Sequence, residues 1–192
     1  MSATSSYHHG DLPATLVRSA IEMLDEDGDV ELSLRGVARR AGVSSAAPYR
    51  HFPDRTALLS AVAAVGYQQL MISLATEHPE PSSADDLADL AVAYVDFALT
   101  RPGLFRVMFT EGCDRTIPDR VAAVEAIHAY LGAAVTRLMK TDAPEAVATA
   151  MWSLVHGLAF LHLDGKLDAS PREAVAARVR ETVLAMLAAR VR

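Results

Sequence analysis

Apolar residues recur at three- and four-residue steps along most of this chain, and strand-like alternation is nearly absent, which restricts the fold to packed helices. Over residues 11–27 the apolar positions are Leu12, Leu16, Ala20, Met23 and Leu24, and Gly28 follows as a stop signal. A second, short helix is predicted from Ser33, a good N-cap, through Val37, Ala38 and Ala41 to Gly42. A third is predicted after Ser44, also in N-cap position; it carries Tyr49 and Phe52 and ends at Pro53-Asp54. A longer helix is expected from about Arg55 to Thr76, and the Pro- and Ser-rich stretch 77–83 reads as a solvated linker. Beyond it, helices are expected at about 84–101, 103–110, 118–140, 144–164 and 171–190, with breaks at Pro102-Gly103, near Gly112 to Pro118, at Asp142 to Pro144 and at Gly165 to Pro171. The expected fold class is all-α, with a three-helix N-terminal unit (1–54) and a larger C-terminal helical bundle (55–192).

With 51% hydrophobic and 22% charged residues over 192 positions, the chain has the composition of a packed protein rather than a disordered one. One cysteine, Cys113, excludes a disulfide framework and a Cys-rich zinc site. Residues 1–11 are polar and lack the apolar core of a signal peptide. Apolar runs are taken as too short to span a membrane, with Gln68, Gln69, Asp89 and Asp96 interrupting them. The expectation is a soluble, cytoplasmic protein with no membrane partner.

The segment Ser33-Leu34-Arg35-Gly36-Val37-Ala38-Arg39-Arg40-Ala41-Gly42-Val43-Ser44 pairs two short helices across a glycine turn, the pattern of a helix-turn-helix. Ala38 is small where the helices cross, Gly42 accepts the positive φ of the turn, and Val43 plugs the angle. Between Ser33 and Arg55 five arginines (35, 39, 40, 50 and 55) face the single acid Asp54, a local charge of +4 on a chain whose net charge is −6. Positive charge concentrated on such a unit is what phosphate neutralisation requires, so double-stranded DNA is the expected partner.

From Ser33 through Ser45-Ala46-Ala47-Pro48-Tyr49-Arg50-His51-Phe52-Pro53-Asp54-Arg55, the stretch resembles the signature of the tetracycline-repressor (TetR/AcrR) family, and Tyr7-His8-His9-Gly10-Asp11-Leu12 resembles a common start in that family. The resemblance implies a dimeric regulator whose third helix enters the major groove of an operator. It implies that Ser45, Ala46 and Ala47 face base edges, that Tyr49 and His51 hold phosphates, that Arg50 reaches either, and that Ser44 belongs to the DNA-binding surface. Ser33 would cap the second helix beside the DNA backbone, Arg40 and Arg55 would contact phosphate, and Arg35 would read a guanine. The family more often carries Lys at the position of Arg55. Pro48 removes a backbone donor and predicts an irregular first turn in the third helix.

In the C-terminal half, Met151-Trp152-Ser153-Leu154-Val155-His156-Gly157-Leu158 resembles the Trp-His-Gly motif of one subgroup of these domains. Trp152 and His156, four residues apart, share a helical face and read equally as cavity wall or as core. Phe97, Phe105, Met108, Phe109 and His128 are the other candidates to line a site for a largely apolar small-molecule effector. Val175, Val179, Val183 and Met186 on the last helix, with Leu154, Leu158 and Leu161 on the one before, form stripes that would pair two copies in a four-helix bundle or face the chain's own core.

Catalytic patterns are missing. Glu125-Ala126-Ile127-His128 has the spacing of half a di-iron site but no second copy, and no phosphate-cradling glycine loop or nucleophile elbow occurs. Neither a metal, a cofactor nor an enzymatic role is expected. The reading is a ligand-released repressor, with an activator, or a helical interaction protein that has lost operator binding, as alternatives.

Overall fold

A computed structural model describes residues 12–28, 31–109, 112, 114, 116–139 and 141–189. The sequence features at Tyr7, His8, His9 and Cys113 lie outside the described residues. The described chain is helical: α1 (Leu12–Glu26), α2 (Leu34–Arg40), a 3-10 turn (Pro48–Arg50), α3 (Arg55–Glu77), α4 (Ala84–Thr100), α5 (Pro102–Phe109), α6 (Pro118–Leu138), α7 (Pro144–Leu163) and α8 (Arg172–Ala188). The main boundaries fall within a residue or two of the sequence expectation because the stop signals are local. Ser33, Asp54 and Ser83 cap α2, α3 and α4, and Ser83 forms a capping box with Asp86.

The first three elements pack around Leu16, Ala20, Leu24, Val37 and Ala38, all 3% exposed or less. Helix α3 runs from this unit into the larger bundle, packing on α1 at one end and on α5, α6 and α4 along its length. Helix α8 lies chiefly on α4, fastened by Arg180 to Asp85 at 2.5 Å and to Asp89, and by Arg172 to Asp96 at 2.5 Å.

Four expectations are corrected. No α-helix follows Ser44. Its carbonyl accepts from Ala47 N, and the next proton it would receive belongs to Pro48, which has none; the segment closes through i→i−3 bonds instead, Arg50 N to Ala47 O and His51 N to Pro48 O. The linker is solvated at Pro79, Glu80 and Ser82 but also pinned: Pro81 is buried, and Tyr130 Oη donates to the carbonyls of His78 and, at 3.3 Å, of Leu74 on α3. Val175, Val179 and Val183 are at most 4% exposed and face the chain's own core rather than a second copy. Finally, Arg55–Thr76, Pro118–Leu138 and Pro144–Leu163 are each long and apolar enough to cross a membrane by length and composition. Gln68 and Gln69 are uncharged and lower the mean hydropathy of α3 too little to prevent this, while Asp89 and Asp96 lie on α4.

Candidate functional site

The first site is the exposed surface around the helix-turn-helix. Ser33, with φ −132° and ψ 149°, starts α2 by accepting from Gly36 N at 3.1 Å. The helix ends in a Schellman motif, with Val43 N on Ala38 O at 3.0 Å and Gly42 N on Arg39 O at 3.2 Å. Gly42 makes this possible with φ +70°. The turn redirects the chain so that Ser44, Ser45, Ala46, Arg50 and His51 are exposed, while Pro48 and Phe52 anchor the segment from below. Tyr49 is 49% exposed, unusual for an aromatic ring, and Arg35 and Arg39 are exposed on α2.

Two of the expected phosphate contacts are engaged within the protein. Arg40 grips both oxygens of Glu26 at 2.7 and 2.5 Å and stands 3.7 Å from Glu22, which ties α2 to α1. That pairing holds the Glu26 carboxyl below its ordinary range. Arg55 donates from Nε to Leu32 O at 2.8 Å, fixing the start of α3 against the residue leading into α2.

The second site is a partly open cavity of about 340 Å³ lined by residues of α3, α4, α5, α6 and α7. Of the residues expected there, Met108, Phe109, His128 and Trp152 line it. His156 and Phe105 stand behind the wall: His156 packs on Trp152, with ring centres 5.4 Å apart, and Phe105 on Phe109 at 4.7 Å. Phe97 lines a different surface depression with Asp89, Asp96 and Arg101. Tyr67, Leu70, Tyr94, Arg120, Val124 and Ile127 complete the wall and were not anticipated. Arg120, Val124 and His128 follow the i, i+4, i+8 spacing of one helix face, a signal the sequence carried.

Burial pushes the Tyr94 phenol up and the His156 imidazole down, so both stay neutral near pH 7. The Tyr94 hydroxyl and His156 Nδ1 share a hydrogen bond of 2.9 Å.

Helix α5 joins the two sites. Its Met108 carbonyl accepts from the Tyr67 hydroxyl of α3 at 2.9 Å. At its other end, a Cβ on Gly103 would stand 2.9 Å from the carbonyl oxygens of both Leu24 and Gly28, so α5 rests directly on the backbone at the end of α1.

Known proteins share this arrangement. Residues 16–62 match the family described as bacterial regulatory proteins, tetR family, and residues 87–187 match the tetracyclin repressor-like C-terminal domain. The chain is 25% identical over 152 residues, 76% of either chain, to YobS of Bacillus subtilis, an uncharacterized helix-turn-helix-type transcriptional regulator. A solved protein of unknown function from Rhodococcus sp. RHA1 is 34% identical, with 95% of this chain and 98% of that one covered and a TM-score of 0.76. The Bacillus subtilis regulator FadR, solved with stearoyl-CoA, shares the fold at a TM-score of 0.69 over 89% of this chain and 97% of that one, at 13% identity. With its DNA-binding unit and its C-terminal domain both matched, the chain belongs to the TetR family of helix-turn-helix, DNA-binding transcriptional regulators, a family of regulators and not of enzymes.

Proposed function

We propose that this protein is a homodimeric, cytoplasmic repressor that holds a palindromic operator through residues 1–54 and releases it when a largely apolar small molecule enters the cavity of residues 55–192. Its C-terminal domain is read as one of the Trp-His-Gly subgroup. The observation that carries the reading is the seating of α5, whose Met108 and Phe109 line the cavity while its Gly103 rests on the end of α1. An occupant that moves α5 by a fraction of an ångström displaces α1 and α3 with it, since packed interfaces of this kind switch rather than deform. The ligand acts by its differential affinity for the two head spacings.

In the bound state Arg35 reads a base, Arg50, Tyr49 and His51 hold the duplex backbone with Ser33, and Ser44 to Ala47 approach base edges. Arg40 and Arg55 contribute by fixing the unit rather than by reaching DNA. Dimerisation uses the outer faces of α7 and α8. There Ala146, Ala150 and Ser153 are exposed and Leu161 is 42% exposed, while Ala177 and Ala185 are exposed on α8. Two copies joined there bring paired recognition segments to successive major grooves, about 34–36 Å apart.

Selection of genomic fragments by the purified protein, followed by footprinting, tests this. The expected result is a palindromic site bound by a dimer with steep salt dependence. A folded protein that retains no duplex at low salt favours the interaction-protein reading. Spin-label distances between the two heads should change when a releasing ligand is added, and an unchanged distribution rules out the switch.

A further inference from the structure

Among the residues described as lining the cavity, Arg120 carries the one fixed charge. It stands in the first turn of α6, its guanidinium carbon 5.7 Å from the centre of the Tyr67 ring. Its Nε is shielded from solvent and meets no hydrogen-bond acceptor among the described residues. A buried donor of this kind is available to an acceptor that enters the cavity. Asp114 feels the Arg120 charge, but its Oδ1 accepts from Thr116 N and Oγ1 at 2.8 and 2.7 Å.

The two tyrosine hydroxyls of the wall are already engaged, that of Tyr67 with Met108 O and that of Tyr94 with His156 Nδ1. His128 and the Trp152 indole add two more polar groups, and the remaining lining is apolar; past Tyr94 and Trp152 a smaller recess of about 50 Å³ is walled by side chains such as Leu90, Leu131 and Val155. Polarity therefore falls from the first cavity, which holds Arg120 and His128, to hydrocarbon in the recess beyond Trp152.

We infer that the effector is a monocarboxylate with a largely apolar body, its head paired with Arg120 and its body directed toward Trp152. The inference rests on the reading of this cavity as the effector site. A cationic ligand would meet Arg120 unfavourably, and a neutral oxygen would accept from Nε but leave the guanidinium charge unpaired, a weaker contact than a carboxylate makes. A phosphate monoester, with nearly two charges at neutral pH, would bring one more than Arg120 balances.

Trp152 is the only tryptophan of the chain and lines both spaces, so its emission reports occupancy directly. The full-length protein is titrated with octanoate, decanoate and 4-phenylbutyrate below their micellar concentrations, and with the alcohols of the same carbon skeletons. At least one carboxylate should change Trp152 emission saturably at no more than a tenth of the alcohol concentration. Arg120→Gln should weaken carboxylate binding about ten- to a hundredfold and leave the alcohols unchanged, and Arg120→Lys should restore part of the preference. Should Arg120→Gln fail to fold in a thermal melt, the wild-type preference for carboxylate over alcohol decides.

Equal binding of the alcohols, no saturable change with any carboxylate, or a preference that survives Arg120→Gln overturns the inference. Operator release measured in parallel separates the two readings. Carboxylates that bind through Arg120 without releasing DNA leave this inference standing and remove the regulatory one; alcohols that release DNA as well as carboxylates do the reverse.

Discussion

Arg101 donates from Nε and Nη2 to the two carboxylate oxygens of Asp25, at 3.0 and 2.6 Å, across 76 residues of sequence. Its Nη1 also bonds to Gln69 Oε1. The residue between α4 and α5 thus holds α1 and α3 together, one position before the helix that lines the cavity begins. Arg101 is 22% and Asp25 39% exposed, so the pair adds about 1 kcal/mol or less to stability. Its value lies in geometry. Arg101→Ala should shift the urea midpoint only slightly while weakening operator binding in the absence of any effector, because the heads then sample more spacings. A gel shift and an unfolding curve on the same sample check both halves.

The close approach of α5 to α1 gives a sharper expectation. A methyl group on Gly103 would press on two backbone carbonyls at 2.9 Å, and backbone cannot step aside. Gly103→Ala should cost about 1–3 kcal/mol by overpacking, read from the urea midpoint. Gly66→Ala differs: its Cβ would stand 2.7 Å from the Met108 sulfur, the flexible part of a side chain that lines the cavity. That variant should lose less stability but drive Met108 into the cavity and weaken ligand binding, seen in the Trp152 titration.

Gly42 is tested by its backbone. With φ +70° it holds the turn that presents Ser44 to His51, and a Cβ there costs about 1–2 kcal/mol. Gly42→Ala should lower the melting temperature and the operator affinity together, and Gly42→Asn, which tolerates the left-handed region better, should recover part of both.

How much of this was legible in the sequence depends on the range of the interaction. Caps and stop signals act over three or four residues, which is why Ser33, Asp54 and Ser83 mark real helix starts and Gly42 a real end. The third helix was read from the same kind of signal at Ser44, yet Pro48 withholds one backbone proton at the position where an α-helical turn needs it. The cavity wall was legible only as a set of apolar candidates. Helical spacing assigns a residue to a face but not the face to a neighbour, so Phe97 could not be told from Phe109. Arg120 escaped notice because a basic residue two positions after Pro118 reads as a solvated helix start; its meaning arises only when α3 and α7 close over it.

Burial holds the His156 imidazole below its ordinary value of about 6.5, so between those two values the unfolded chain binds a proton that the folded chain does not. Stability should therefore fall as pH drops from about 7 through 6 and level off below the folded value. His156→Gln, whose amide can either donate to or accept from the Tyr94 hydroxyl, should flatten this slope. Glu26, held low first by its hydrogen bond from Arg40, and Asp86, held low first by the Ser82 backbone N–H, act in a separate window. Their stabilisation is intact above the ordinary carboxylate range and is lost only as pH falls through their lowered values. Urea midpoints at pH 7.5, 6.5, 5.5, 4 and 2.5 separate the two windows.

The arginines of α2 divide into two roles that double substitution separates. Arg35 is exposed and pairs with no carboxylate among the described residues, whereas Arg40 is held by Glu26 and Glu22. If Arg35 reads a guanine, Arg35→Ala should cost about 1–3 kcal/mol and relax preference at one operator position. If Arg40 fixes α2 on α1, Arg40→Ala and Glu26→Ala should each weaken binding, the double variant should be no worse than either, and the salt slope should stay unchanged. A phosphate contact predicts the opposite pattern. Glu26→Ala would then strengthen binding by removing a negative charge near the duplex, and Arg40→Ala would reduce the salt slope by about one. Fluorescence anisotropy over a range of salt concentrations, on one operator and its single-base variants, distinguishes the two roles for each arginine.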